Sequence, residues 1–380
     1  ADALDTATPW PQLLARADEQ AASNRAFDAG VLAAQALEQQ AWATAWMPRV
    51  EANASASKSH QQVNETVVRT PTTALSLTAT LPLWRAADRA AARAQEAQAD
   101  QAQWQARGNR AAVARELSLA YLSAIEAAEQ RRLQQAQQDL LQEQLRINDR
   151  RLQAGVGTVL DVLETRTRIE QTRAAVQDLN TRLNTQRLTL ERLSGQRVVL
   201  PAGLNDALDS LPEVVPPAGE ALQLAASRNP AVQETAAQTT AATAITQART
   251  AERWQPTLDA VAAASRVREV PQLDGFSQSQ TSTERTVGIQ MNWALFTGGQ
   301  QQGRTREAAA LLTQAQARRD DAQQQAETGL RDAYQTLSQA HAVISVQREV
   351  ERTASATHEA VRKAFVAGMR TNLDLLNAQQ

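Results

Sequence analysis

Apolar and polar residues alternate one by one in three stretches of the chain. Leu75, Leu77, Ala79 and Leu81 point one way, while Ser76, Thr78 and Thr80 point the other. Val287, Ile289, Met291 and Trp293 alternate with Gly288, Gln290 and Asn292; Val50, Ala52, Ala54 and Ala56 alternate with Arg49, Glu51, Asn53 and Ser55. This period predicts strands with one apolar face, over about 48–57, 73–84 and 286–296, and the internal repeat adds a fourth over about 256–266. Polar loops, "KSHQQVNETVVRTPT" and "RVREVPQLDGFSQSQTSTER", join the members of each pair. The flanking stretches are rich in Ala, Leu, Gln and Arg and read as long helices. No proline occurs between Leu83 and Leu200, nor after Pro271.

The pattern occurs twice. "AWMPRVEANASAS" (Ala45 to Ser57) answers "RWQPTLDAVAAAS" (Arg253 to Ser265), and "LSLTATLPLW" answers "VGIQMNWALF". "AGVGTVLDVLETR" from Ala154 answers "AGMRTNLDLLNAQ" from Ala367. Tyr121 and Tyr334, like Asp161 and Asp374, lie about 213 positions apart, which marks an internal repeat. The first repeat covers 1–200 and the second 220–380. A proline-rich linker over 201–219 separates them. Each half reads as helix, strand, polar loop, strand, long helix, interruption, helix.

Helix lengths match across this scheme. Arg85 to Gln153 is about 69 residues, or ~100 Å of helix. Thr158 to Gln196 and Glu220 to Trp254 together come to nearly the same span. A long helix going out, with two half-length helices returning, fits both. The helix from Pro11 to Trp46 also needs a half-length partner. Repeat symmetry predicts that partner from Thr371 onward, so the last helix is expected to be incomplete at Gln380.

Composition narrows the class. The net charge is −2 and pI ≈ 6.1, with no basic footprint for nucleic acid. Cysteine is absent, which removes disulfides, thiol catalysis and a lipidated N-terminal Cys from this form of the chain. "ADALDTATPWPQLL" lacks the basic and apolar regions of a signal peptide, so a processed N-terminus is expected. No apolar run approaches the ~18–20 residues of a membrane-spanning helix. A membrane location would therefore have to use strands. Trp46 and Trp254 precede the first strand of each pair, while Trp84 and Phe296 close the second. All four fall at the end opposite the polar loops, as an interfacial aromatic belt would. Four strands cannot close a barrel in lipid; three chains would supply twelve. A soluble periplasmic coiled-coil adaptor or scaffold is the alternative, and it explains the helices but not the strands.

The search for chemistry gives little. His60, His341 and His358 are far apart, and no metal-ligand spacing, cofactor motif or catalytic constellation is present, so neither cofactor nor enzymatic activity is expected. "TGGQQQG" lacks the Gly-Lys-Ser/Thr ending of a phosphate loop and reads as a strand-to-helix turn. The interruptions remain. Gly155 and Gly368 suit a helix end; Thr158 and Thr371 suit an N-cap, with Asp161 and Asp374 in the first turn. Arg370, standing where the first repeat has Gly157, has no capping role.

Taken together, the two repeats, "PLW", "ALFTGG", "RNPAV" and the "AGxxTxLDxL" turns resemble the TolC-like outer-membrane factors of Gram-negative bacteria. The resemblance implies a mainly α fold with a small β part. Long antiparallel helices would form a periplasmic α-barrel, and four strands per chain a 12-stranded β-barrel of a homotrimer in outer-membrane lipid. It implies an exit duct for type I protein secretion or drug efflux, opened by an inner-membrane transporter and a periplasmic adaptor (membrane fusion protein). The adaptor would dock at the tips near 154–158 and 367–371, around Gly155, Thr158, Gly368 and Thr371. It further implies that Arg370 and Asp161 form one latch of the aperture, and that Asp374 lines its constriction. Asn377 stands where a second acidic residue is usual, and Phe365 where a Tyr is, so a double acidic ring and one cross-bond are not expected. The missing Cys leans towards the secretion branch.

Overall fold

The computed structural model describes residues 8–63, 66–201, 217–273 and 276–379. The chain divides into two compact units: Asp28–Gln105 with Arg228–Gln324, and Ala1–Phe27 with Ala106–Ser227 and Gln325–Gln380.

The first unit holds the sheet. β1 (Arg49–Val63), β2 (Thr66–Trp84), β3 (Thr257–Glu269) and β6 (Gln280–Asn292) pair antiparallel in the order β1–β2–β3–β6. The short β4 (Gln272–Leu273) and β5 (Phe276–Ser277) extend the loop beyond β3. Three strands reach further into the polar loops than alternation and the repeat predict: β1 to Val63, β2 from Thr66 and β3 to Glu269. The cause is that backbone ladder bonds continue where side-chain polarity no longer reports a face. β6 is also displaced, beginning at Gln280 and ending at Asn292 rather than at Phe296. Its last partner is Thr257, and Pro256 before it has no N–H to extend the ladder. Phe296 consequently sits in the irregular segment before the Gly298–Gly299 turn, 88% exposed, and Trp293 lies just past the strand. Pro82 coincides with a register shift between β2 and β3, a place that tolerates proline.

Register places the apolar residues in rows. Val50, Ala79, Ala262 and Val287 stand side by side across four strands, as do Leu81, Ala260 and Ile289 across three. The other face carries Asn53, Ser76, Ser265 and Glu284 in one row. Val287 on the apolar face is 86% exposed, and Ile289, Met291, Val50, Leu75 and Leu77 are exposed as well. Among the described residues, β1 and β6 leave their outer edges unpaired.

At the helix end of the sheet, β2 passes into α3 (Ala86–Gln153) through Arg85. Its guanidinium grips Asp259 of β3 with two bonds, Nε to Oδ1 at 2.8 Å and Nη2 to Oδ2 at 2.9 Å. One turn on, Arg89 lies 3.9 Å over the Trp46 ring and 5.3 Å from that of Trp84. Alongside run α2 (Ala22–Trp46), α6 (Pro230–Trp254) and the first part of α7 (Gln300–Val366). Buried Ala241, Ala244, Ala248 and Ala251 let α6 lie close to its neighbours. Thr239 and Thr246 donate across to the Ala315 and Ala308 carbonyls of α7.

The second unit is helical. α1 (Trp10–Gln20), the rest of α3, and α4 (Val159–Ser194) share a core of Trp10, Leu13, Leu117, Tyr121, Leu183 and Leu190. The Trp10 and Tyr121 rings meet at 5.1 Å. Two helices expected to be continuous are broken. Pro11 to Trp46 divides at Ala21, where ψ is 122°. There the buried Asn24 donates to the Ala17 and Asp18 carbonyls and accepts from Asn109 at 2.6 Å. The 220–254 stretch divides at Asn229, between α5 (Ala218–Arg228) and α6. Pro230 disfavours helix at the residue before it, and Asn229 caps α6 through Ala231 and Val232 N–H. Most of the expected linker, 202–216, lies outside the described residues. The last described helix is α8 (Asn372–Gln379).

Candidate functional site

Both helix interruptions are made by the same backbone device. After α3, Gly155 takes φ 75°, and its N–H and that of Val156 donate to the Leu152 and Arg151 carbonyls. After α7, Gly368 takes φ 77°, and the N–H groups of Gly368 and Met369 donate to the Phe365 and Ala364 carbonyls. A left-handed residue closes a helix end, and glycine adopts it without strain.

Each returning helix then opens with a reciprocal cap. Thr158 Oγ1 accepts from Asp161 N–H at 3.1 Å, and Asp161 Oδ2 accepts from Thr158 N–H at 3.0 Å. Thr371 and Asp374 repeat this at 3.2 and 3.0 Å. This is a capping box with aspartate in place of the usual glutamate. The bonds from Thr371 backbone and hydroxyl, with Arg370 nearby, hold the Asp374 carboxyl below the usual carboxylate range.

The capping boxes decide where the carboxylates point within one chain. Arg370 Nη1 stands 3.9 Å from Asp374 Oδ1, an i,i+4 pair, and Asp161 is engaged by its own helix start. Among the described residues no bond joins Arg370 to Asp161 within the chain. The two residues still share a polar cleft of about 210 Å³, lined also by Asn148, Arg151, Gly157, Phe365 and Asn372. Arg151 lies 5.3 Å over the Phe365 ring, so the residue lacking a Tyr hydroxyl is held by its face instead. Asn377 accepts from Arg168 Nη2 at 3.2 Å. Gly157 is required by space: a Cβ there would come within 2.9 Å of Leu152 backbone nitrogen. The Arg370 counterpart therefore could not stand at that position without moving the turn.

Beneath the cleft lies a cluster that residue patterns do not single out. Asn148 Nδ2 donates to Thr165 Oγ1 at 3.0 Å and to Asn372 Oδ1 at 3.2 Å. Gln144 Nε2 donates to Asn148 Oδ1 and Asn372 Oδ1, each at 3.1 Å. Thr165 Oγ1 in turn donates to the Asp161 carbonyl at 2.8 Å. All four residues are buried, Thr165 completely. The available signal is spacing: Gln144 and Asn148 continue the stripe of the buried Leu141 at i+3 and i+7. Polar residues on a buried stripe need partners, and here they find one another, except for Asn372 Nδ2, which is buried with no partner among the described residues.

The aromatics expected at a membrane interface gather at the helix end of the sheet. Trp46 and Trp84 flank Arg89, Trp254 lies beside Arg253 at 4.7 Å, and Phe296 stands in the segment after β6. Among the described residues no helix is long and apolar enough to cross a membrane.

Comparisons with known proteins follow the same outline. The family of outer membrane efflux proteins matches residues 13–196 and 221–380. The proteases secretion protein PrtF of Dickeya chrysanthemi is 30% identical over 262 residues, 68% of this chain and 55% of that protein. The alkaline protease secretion protein AprF of Pseudomonas aeruginosa is 28% identical over 265 residues, 69% of this chain and 54% of that one. The outer membrane efflux protein BepC of Brucella suis is 25% identical over 248 residues, 63% and 50%. The chain thus spans about half the length of the curated relatives it matches. In fold it is similar to CusC, a former of transmembrane channels, with TM-score 0.83, 20% identity and coverage of 99% of this chain and 89% of that one. The outer membrane protein VceC of Vibrio cholerae gives 0.79, 18%, 97% and 88%. Repeats, tip turns and strand pairs all fall within the matched segments: the chain belongs to the outer membrane efflux protein family.

Proposed function

We propose that three copies of this chain form an exit duct through the outer membrane, for proteins leaving by type I secretion. The observation that carries this reading is the sheet. One face is apolar and exposed, the other polar, and both edge strands are unpaired among the described residues. A sheet of this kind is an aggregation hazard in water. It suits a barrel wall in which β6 of one copy pairs with β1 of the next and the apolar rows meet lipid. The Trp46, Trp84, Trp254 and Phe296 group would mark the periplasmic interface.

Secretion is favoured over drug efflux by the relatives PrtF and AprF, both named for protease secretion. Efflux is the second reading, on the likeness to BepC. An adaptor would dock at the exposed tip residues around Gly155, Thr158, Gly368 and Thr371, beside apolar Val156 and Met369. An inner-membrane transporter would drive opening. Arg370, Asp161, Asp374 and Asn377 would line the aperture. A soluble adaptor or scaffold would leave the apolar sheet face without a role.

The test is reconstitution. Protein extracted in detergent should behave as a trimer and conduct ions in planar bilayers. A chain that stays monomeric in detergent-free buffer and forms no pores would rule the duct out.

A further inference from the structure

The polar cluster at the tips has a second, unfilled version built by the internal repeat. Within the chain, Asn372 at the start of α8 docks onto Gln144 and Asn148 of α3 and faces Thr165 of α4 through Asn148. Repeat-equivalent positions lie about 213 residues apart, as the two capping boxes confirm by their matching bonds. The equivalent of Asn372 in the first repeat is Val159; the equivalents of Gln144, Asn148 and Thr165 in the second are Thr357, Val361 and Ala378. Val159 is 60% exposed at the start of α4. Thr357 is exposed, and Val361 and Ala378 are half-buried.

We infer that Val159 of one copy seats against Thr357, Val361 and Ala378 of a second copy of this chain. Within one chain the pairing is not made, and Val159 and Thr357 are both exposed. The first hairpin already receives α8, and one hairpin cannot flank its neighbour on both sides. Repetition of a head-to-tail contact generates a ring when the rotation closes. The proposal rests on the trimeric duct reading and adds the chemistry of its tip contacts.

That chemistry alternates. The contact inside a chain is hydrogen-bonded amide and hydroxyl; the contact between copies is aliphatic apart from Thr357, whose hydroxyl already donates to the Thr353 carbonyl of its own helix. Exchanging the two would set Val159 against Gln144 and Asn148, leaving buried amides unpaired, and Asn372 against Val361 and Ala378. The two contacts therefore exclude one another's partners, which fixes the order of hairpins around the ring. Small aliphatic groups give close packing without polar directionality, so this contact is also the one that can slide.

The chain has no cysteine, so paired substitutions report contacts directly. In detergent-extracted full chain, Val159→Cys with Val361→Cys should give covalent oligomers on a non-reducing gel after mild oxidation or a short bismaleimide. Asn148→Cys with Asn372→Cys should react within single chains and keep monomer mobility. Val159→Asn should lower the temperature at which the oligomer dissociates in SDS, and Val159→Ile should not. If light scattering shows a trimer yet neither reagent links positions 159 and 361 between copies, this contact is wrong and the duct reading survives. If the extracted chain is monomeric, both fall together.

Discussion

Asn148 and Asn372, 224 residues apart in sequence, meet through a 3.2 Å hydrogen bond that ties the first helix hairpin to the start of the last helix. Both are buried, and Gln144 and Thr165 complete the group. The junction between the tips is thus polar at its centre, a less adhesive but more selective choice than leucine.

Removing one member should cost more than the bond itself. Asn148→Ala leaves Thr165 with one bond fewer and Gln144 with one acceptor fewer, at about 1–3 kcal/mol for unmet buried groups. Amide hydrogen exchange over 161–165 and 372–376 should accelerate by roughly ten- to a hundredfold. The sheet unit should exchange unchanged.

Gly157 makes a steric prediction. Its N–H donates to the Arg151 carbonyl, and a Cβ would press on Leu152 and Arg151 backbone. Gly157→Ala should loosen the first tip, seen as faster exchange at Gly155 and Val156. Arg370→Gly, at the equivalent position of the second tip, should leave the turn formed. Equal effects from both would show that the two tips do not differ in this way.

Acid should open the second cap in a definite direction. Asp374 has its carboxyl pKa lowered in the fold, first by Thr371 N–H and then by the Thr371 hydroxyl. A depressed folded value means the cap's contribution is complete above the ordinary aspartate range and is lost as pH falls through the lowered value. Exchange at the first turn of α8 should rise on acidification, and Asp374→Asn should flatten that dependence.

Much of this architecture can be read from residue order. Alternation locates three of the four long strands, the repeat supplies the fourth, and the twofold recurrence of Ala-Gly, Thr and Leu-Asp locates both tips. Legibility fails where a long-range partner decides the outcome. Nothing local ends β6 at Asn292; Pro256, just before the neighbouring strand, does. Ala21 is a good helix former, and the break there depends on Asn24 reaching back to two carbonyls and across to Asn109. The polar cluster joins residues of three helices, which no single periodicity contains. Resemblance pairs Arg370 with Asp161; within one chain the capping boxes draw the Asp161 and Asp374 carboxylates to their own helices.

The junction between sheet and helices rests on Arg85 and Asp259, partly buried and doubly bonded. Asp259→Ala removes two of the three carboxylate bonds and leaves the guanidinium only Asp88, 3.2 Å away, with an expected loss of about 1.5–3 kcal/mol. Arg85→Lys should restore little, because an ammonium cannot make the two parallel bonds. Denaturant unfolding followed by the tryptophans near the junction would measure both.

Charge at the aperture and charge in the cap can be separated at one residue. Asp374 caps α8 through Thr371 and faces Arg370 at 3.9 Å. In a trimeric duct the equivalent residues of three copies would form an anionic ring. Asp374→Asn keeps an oxygen for the Thr371 N–H but removes the charge, whereas Asp374→Ala removes both. Block of bilayer conductance by divalent cations should weaken in both variants, and α8 should fray more in the alanine variant than in the asparagine variant. Arg370→Ser and Asp161→Asn should each raise the basal conductance if the latch operates between copies, Asp161 of one chain meeting Arg370 of the next. Unchanged conductance in Arg370→Ser would remove Arg370 from the latch. Unchanged block in Asp374→Asn would place the cation site elsewhere and leave Asp374 as a cap alone.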